Sequence, residues 1–191
     1  MTFRDLVLAN RSYRRFAQSE RVSEQTLREL VDLARLTPSA ANLQPLRYVL
    51  SWTPERNELV FSTLSWAGYL PDWPGPPEGE RPAAYIIILN DTEVTKNVGC
   101  DHGIAAQTIC LGAVEKGLGC CMFGSIDRDA LRRHLGIPER YQILLVIAIG
   151  VPIEKVVLEE VGPDGSIKYY RDSQQVHHVP KRRLEDIILN I

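Results

Sequence analysis

The chain has 191 residues, a length that suits a single domain with a sizeable core, and we predict one domain over 1–191. Apolar residues make up 45% of the sequence and charged residues 24%, the proportions of an ordinary globular protein. A formal net charge of −2 gives no reason to expect a nucleic-acid partner, so any basic site must be local. The longest apolar run, Ile143 to Val151, is far short of the ~20 residues of a membrane helix, so no membrane partner is expected.

The N-terminal pattern and the cysteines indicate the compartment. Met1 leads directly into an amphipathic pattern with no apolar signal core, which argues against secretion. The four cysteines show no paired ligand spacing; they are Cys100, Cys110, Cys120 and Cys121. The last two are adjacent, so in a strand their side chains would point to opposite faces. We therefore expect reduced thiols in a cytoplasmic protein.

The first third of the chain carries the signals of three helices and one strand. Ser and Thr caps mark the helix starts, a proline marks a helix end, and β-branched and aromatic residues mark the strand. The predicted elements are a helix after Thr2, a helix from the Ser23 cap to the stop before Pro38, a strand from Leu46 to Trp52, and a helix from Thr53-Pro54 to about Leu64.

A basic stretch, Arg11-Ser12-Tyr13-Arg14-Arg15-Phe16, follows the first helix. Its guanidinium groups and hydroxyl make a compact phosphate site, because Arg offers a rigid fork of donors that fits phosphate oxygens. A run of this kind is more often a solvated surface turn, so both interpretations stay open. A second basic cluster, Lys181-Arg182-Arg183, and a polar turn from Pro38 to Pro45 strengthen the phosphate interpretation.

Five prolines and three glycines fall between Gly68 and Pro82, and this composition predicts a loop over 68–82. Tyr69 and Trp73 lie in the loop, and Trp66 lies just before it. We interpret the segment as a surface loop with buried aromatic anchors, and a substrate lid is the alternative.

The second half of the chain alternates strands with helices. The predicted elements are a strand from Ala83 to Asn90, a helix from Asp101 to Lys116, a strand from Leu118 to Phe123, a helix from about Arg128 to Leu135-Gly136, and a strand from Ile143 to Val151. Leu184, Ile187, Ile188 and Ile191 recur at helical spacing, which predicts a helical stripe within a C-terminal arm over 171–191.

The helix from Asp101 to Lys116 is apolar or small on almost every side, so we expect it to be buried on most sides. This pattern indicates either a central core helix or a subunit interface. The apolar surface of this helix is larger than one subunit of this size can easily cover. We therefore expect the helix to contribute to a dimer interface.

Several familiar site patterns are missing. Gly117-Leu118-Gly119 begins a dinucleotide-binding motif, but Met122 stands where the third glycine belongs. No G-x-S-x-G occurs, and the adjacent pair His177-His178 lacks a supporting H-x-x-x-H or C-x-x-C, so no metal is predicted. A phosphate clamp without an evident acid, base or nucleophile is typical of an enzyme whose cofactor supplies the chemistry.

Four pieces of the chain resemble, in the same order, the FMN-dependent nitroreductase family. They are Arg11-Ser12-x-Arg14-x-Phe16, Pro38-Ser39-x-x-Asn42-x-Gln44-Pro45, Gly117 to Ser125, and Pro180-Lys181-Arg182-Arg183-Leu184. The resemblance implies an α+β fold with a mostly antiparallel central sheet flanked by helices. It also implies a homodimer with FMN bound at the interface.

The resemblance assigns roles to individual residues. The phosphate would be held by Arg11, Ser12, Arg14, Lys181 and Arg183. The flavin would be reached from the partner subunit by Pro38, Ser39, Ala40 and Asn42, and its other side would be covered by Phe123, Gly124 and Ser125. Gln44, with Asn42, would supply donors to ring or ribityl groups. The implied activity is hydride transfer from NADH or NADPH to a small acceptor that is nitroaromatic- or quinone-like. With no separate nicotinamide motif, one open face would serve donor and acceptor in turn, in a ping-pong mechanism.

Two alternatives stay open. One is a specialised flavin relative that performs reductive dehalogenation or flavin breakdown. The other is a non-catalytic protein whose basic ends bind a phosphorylated metabolite or a partner. The loop around Trp73 stands where some family members carry a longer insertion with substrate contacts, so the resemblance does not assign the acceptor.

Overall fold

Nearly every predicted helix and strand is present in the computed structural model, which describes all 191 residues. The helices are α1 (Phe3–Ala9), α2 (Glu24–Arg35), α3 (Pro54–Phe61), α4 (Asp101–Glu115) and α5 (Arg128–Leu135). The strands are β1 (Leu46–Ser51), β2 (Ala84–Asp91), β3 (Gly119–Phe123), β4 (Tyr141–Gly150), β5 (Val156–Glu160), β6 (Tyr170–Arg171) and β7 (His177–Lys181). None of the helices has the length and apolarity needed to span a bilayer.

The main sheet has four strands in the order β1-β2-β4-β3, and every neighbouring pair is antiparallel. The two central strands are the most apolar, and every residue of β2 is buried. Successive residues of a strand face opposite sides, so the sheet divides the core in two. Ile86 and Ile88 belong to one cluster with α2 and α4, whereas Ile87 and Leu89 belong to the other with α3 and α5. The predicted α+β fold with an antiparallel sheet is confirmed.

The adjacent cysteines follow the same alternation. Cys120 packs in the cluster under α2 and α4, and Cys121 packs in the cluster on the opposite face. The prediction that they diverge is therefore confirmed, and all four cysteines are free thiols.

Helix α4 is a core helix for most of its surface. Eight of its residues are buried within the subunit, and Ile109 is completely inaccessible. Its exposed apolar surface centres on Ile104, which is 40% exposed. The expectation that one subunit cannot cover this helix was therefore wrong for most of its surface, because α1, α2, β3 and β4 all pack against it.

A second sheet follows the main one and was not predicted. It has the order β5-β7-β6, with β5 parallel and β6 antiparallel to the central strand β7. Beyond it the predicted helical stripe was wrong, since residues 182–191 contain one short turn over 184–187 and no helix. Leu184 and Ile187 are 67% and 59% exposed, so no neighbour buries the stripe. A short helix without tertiary packing is marginal in water, which explains the difference.

The loop over 68–82 is held to the rest of the molecule by aromatic rings, but these anchors are not buried as expected, since Tyr69 is 47% exposed and Trp66 and Trp73 are only partly buried. The Trp73 ring lies under the Arg171 guanidinium at 4.2 Å and makes an edge contact with Trp66 at 6.1 Å. Tyr69 packs on Tyr169 with ring centroids 4.9 Å apart. The loop is thereby attached to the second sheet.

One imidazole ties the three strands of the second sheet together. His178 on β7 contacts Glu159 of β5 through Nδ1 at 3.0 Å and Asp172, just after β6, through Nε2 at 3.3 Å. Its ring stacks on Tyr170 of β6 with centroids 4.7 Å apart. The hydrogen bonds to Asp172 and Glu159 raise the pKa of His178 above its ordinary value of 6.5.

The replacement His178→Gln is expected to destabilise the protein more in mildly acidic than in alkaline solution. Because the folded-state pKa is raised, the stabilisation is complete below the unfolded pKa and is lost as pH rises through the folded one. Urea unfolding of both proteins at about pH 6 and about pH 9 measures this. An equal loss of unfolding free energy at the two pH values would show that the His178 ring stabilises the fold by its shape and not by its charge.

Candidate functional site

The basic stretch is fixed against the edge of the main sheet. Ser12 forms a parallel bridge with Cys120 of β3, and the Tyr13 N–H donates to the Cys120 carbonyl at 3.0 Å. This approach requires Gly119, because a Cβ there would lie 2.5 Å from the Tyr13 ring. Phe16, which is fully buried, anchors the far end. The backbone of the basic stretch is therefore fixed at both ends.

A cavity of about 350 Å³ opens beside this segment, and we call it the basic cavity. It is lined by Val7, Asn10, Arg11, Ser12, Arg14, Gln107, Cys110, Cys120, Met122, Tyr169, His177, Val179 and Lys181. Four of the five predicted phosphate ligands therefore share one cavity. The fifth, Arg183, lies outside it and pairs with Glu160 at 3.2 Å on an exposed surface.

Most donors of the basic cavity are not used within the chain. Arg14 engages only Nη1, which contacts the Ser12 carbonyl and His177 Nε2, each at 3.2 Å. Its Nε and Nη2, the Ser12 hydroxyl and the Lys181 ammonium form no hydrogen bond. Arg11 donates from Nη2 to the Val7 carbonyl at 2.7 Å, while its buried Nε has no partner. These groups present several donors, and among them only the Ser12 hydroxyl can also accept a hydrogen bond.

The carboxylate of Glu154 lies near the basic cavity, but it is already paired with other groups. Glu154 has a fully buried side chain that accepts the Arg14 backbone N–H and pairs with Arg171 at 3.1 Å. Burial lowers the pKa of Arg11, because desolvation disfavours the charged guanidinium. The cavity thus favours an anion with several oxygen acceptors.

The polar turn from Pro38 to Pro45 has a backbone held in an unusual conformation. Ser39 Oγ donates to Asp101 Oδ2 at 2.6 Å, and the Ala40 N–H donates to Oδ1 at 3.1 Å. Asp101 is the first residue of α4 and is buried. The residues with positive φ are Ala41, Asn42 and Gln44. Such strain persists only where surrounding contacts impose it, and it is common at functional sites.

The turn lies apart from the basic cavity. Pro38, Ser39 and Gln44 line a second cavity of about 280 Å³ that shares no residue with the first. Ala40 and Asn42 are exposed, and the Asn42 side-chain amide makes its only hydrogen bond by accepting from Gln44 at 3.1 Å. The predicted site residues therefore fall in two separate places on one chain.

The end of β3 supplies free backbone donors. Phe123 is buried and makes an edge contact with Trp66 at 4.6 Å. Gly124 and Ser125 are exposed, and neither N–H donates within the chain. Met122, one residue earlier, lines the basic cavity. Gly124 and Ser125 therefore follow a residue that lines this cavity and have unpaired N–H groups, whereas the Phe123 side chain packs in the cluster on the opposite face of the sheet.

Sequence reasoning missed two aromatic residues of the basic cavity, Tyr169 and His177. His177, Val179 and Lys181 alternate along β7, so all three lie on one face of the strand. That alternation was the available signal, but no strand was predicted within the C-terminal arm over 171–191.

The site offers no protein nucleophile or metal ligand set. Burial raises the pKa of Cys121 to about 12, and a hydrogen bond with Cys110 is the largest cause that raises the pKa of Cys120. Neither thiol is therefore a thiolate at neutral pH. No cluster of three or more histidines, cysteines or carboxylates has the geometry to hold a metal ion.

Solved structures share this fold. The nitroreductase family protein from Streptococcus pneumoniae TIGR4 superposes over 100% of both chains with a TM-score of 0.70 at 17% identity. The FMN-dependent nitroreductase from Clostridium difficile R20291 covers 97% of this chain and 98% of its own, with a TM-score of 0.67 at 22% identity. At these identities the likeness shows the fold alone.

The sequence itself matches known proteins. A protein of Archaeoglobus fulgidus named "Putative NADH dehydrogenase/NAD(P)H nitroreductase" is 25% identical over 155 residues, which cover 77% of this chain and 83% of the relative. The model of the nitroreductase family matches residues 7–72 and 81–151, which include the basic stretch, the polar turn and the end of β3. The chain belongs to the nitroreductase family.

Proposed function

We propose that this protein is an FMN-dependent oxidoreductase that takes hydride from NADH or NADPH and delivers electrons to a small nitroaromatic- or quinone-like acceptor. The observation that carries the proposal is the set of unpaired donors in the basic cavity, from Ser12, Arg14 and Lys181. These donors fit a phosphate dianion, which has only acceptors. The similar FMN-dependent nitroreductase and the archaeal relative support the choice of cofactor and donor.

The residues of the chain would bind and orient the cofactor. Arg14 and Lys181 would neutralise the phosphate, and Ser12 would add a hydroxyl donor. The free N–H groups of Gly124 and Ser125 would hydrogen-bond to the flavin ring system. When bound, FMN supplies the hydride chemistry, which the buried thiols of this chain cannot supply. This division of labour explains why the site needs no protein nucleophile.

The site would be completed by a second copy of the chain. The polar turn lies outside the basic cavity of its own subunit, so its free Asn42 donor and strained backbone would serve the partner subunit's cofactor. The basic cavity is bordered by Val7 and Gln107, on α1 and α4. The apolar residues exposed on the same two helices are Phe3, Val7, Leu8 and Ile104. A dimer formed through this surface would bury apolar area next to the cofactor.

The replacement Arg14→Ala is expected to weaken FMN binding by about 10- to 150-fold, because one charge-assisted hydrogen bond to phosphate contributes roughly 1.5–3 kcal/mol. Riboflavin lacks the phosphate, so its affinity should stay within a factor of about two. Fluorescence titration with both flavins measures this. Arg28→Ala, on the exposed face of α2, is the matched control and should change neither affinity. Equal losses for FMN and riboflavin would show that Arg14 acts through folding.

Steady-state kinetics should show a ping-pong pattern. The chain has no dinucleotide-binding motif, so nicotinamide and acceptor would use the same open face in turn. Initial rates measured at several fixed acceptor concentrations should therefore give parallel double-reciprocal lines. Intersecting lines would require both substrates to be bound together and would contradict a shared face.

The replacement Ile104→Glu is expected to lower dimer content and bound FMN together. Ile104 is 40% exposed on α4, whereas Ile109 is fully buried, so a charge at 104 tests the surface without disrupting the core. Light scattering and flavin content measure the two effects, with circular dichroism as the check on folding. Ile167→Glu is the matched control, since Ile167 is 48% exposed in the loop before β6. A folded monomer that binds FMN undiminished would refute the shared site.

A further inference from the structure

The second sheet contributes residues to the basic cavity from a part of the chain that the family model does not match. That match ends at residue 151, and β5, β6 and β7 all follow it. Tyr169 precedes β6, and His177 begins β7. Both residues line the basic cavity and contact the same neighbour, Arg14.

Arg14 is confined on three sides. Its Nη1 lies 3.2 Å from His177 Nε2 and 3.2 Å from the Ser12 carbonyl. Its guanidinium carbon lies 4.6 Å from the centre of the Tyr169 ring. Its backbone N–H donates to the buried carboxylate of Glu154. The backbone and one end of the guanidinium are therefore fixed, and Nε and Nη2 remain unpaired within the chain.

His177 meets Arg14 as a neutral ring. A guanidinium only donates, so Nε2 must be the acceptor and the ring proton lies on Nδ1. The residue is 1% exposed, and the cations around it are Arg14, Arg171 and His178. Burial, as the larger cause, and these cations together lower the pKa of His177 to about 4. The acceptor is thus maintained throughout the neutral range.

Nothing else in the fold accounts for an imidazole at this position. Its Nδ1 is buried without a hydrogen-bond partner, which is unfavourable by about 1–3 kcal/mol. A phenyl ring would fill the same space beside Tyr169 without that cost. What the imidazole adds is an acceptor for Arg14.

We propose that His177 is a positioning residue of the anion site: it holds Nη1 of Arg14 so that the Nε–Nη2 edge stays available for two phosphate oxygens. Tyr169 supports the arrangement from the face of the guanidinium. This inference rests on the proposed function for the identity of the anion, the FMN phosphate. The positioning role itself applies to any phosphate that binds in the basic cavity.

Two variants distinguish the role of His177 as a hydrogen-bond acceptor from the role of its ring shape. His177→Gln keeps an acceptor, and His177→Phe keeps the shape alone. FMN affinity should fall about tenfold in His177→Phe and stay within about threefold in His177→Gln, with riboflavin affinity unchanged in both. Adding His177→Phe to Arg14→Ala should cause no further loss, because the two residues act as one unit. Equal losses in the Gln and Phe variants, equal losses for FMN and riboflavin, or additive losses would overturn the proposal.

A second readout keeps this test independent of the proposed function. Thermal unfolding with and without inorganic phosphate reports anion binding in the cavity by mass action. Phosphate should stabilise the wild type and His177→Gln similarly, and His177→Phe clearly less. That result would support the positioning role even in a protein that bound no FMN, whereas failure to bind FMN alone would refute the proposed function. A phosphate effect of equal size in all three proteins, including none, would overturn the inference.

Discussion

A buried carboxylate connects the two halves of this protein. Glu154 follows the main sheet, accepts the backbone N–H of Arg14 and pairs with Arg171 of the second sheet. Removing one member of a buried pair leaves an uncompensated charge at a cost of about 3–5 kcal/mol, so this group constrains both neighbours. Because the basic stretch and the second sheet are both bound to it, they face each other across one cavity. The geometry of the anion site follows from this contact.

Most of the fold could be predicted because its signals are local. The apolar run of β2, the Ser23 and Thr53 caps, and the left-handed Gly136 after α5 define their elements without tertiary information. The second sheet could not be predicted, since its strands are short and its central strand carries His177-His178 and a proline. The C-terminal stripe failed for the opposite reason: its periodicity was clear, but nothing packs on it.

The sequence allowed most residues of the candidate site to be identified, but not how they are arranged in space. Arg11, Ser12, Arg14 and Lys181 do share a cavity, although 166 or more residues separate the last from the others. The polar turn lies elsewhere on the chain, and a role beside the cofactor depends on a second subunit, which no property of one sequence fixes. The roles of Tyr169 and His177 could not be predicted, because they depend on contacts with Arg14, which is more than 150 residues away in the sequence.

The central claim is that the basic cavity recognises the phosphate of a flavin. Titration of the unmodified protein with FMN and with riboflavin, followed by the visible absorbance near ~450 nm, tests it directly. At least two charge-assisted hydrogen bonds should distinguish the ligands, so we predict that FMN binds at least about 100-fold more tightly than riboflavin. A folded protein that binds neither flavin, or binds both equally, would contradict the account.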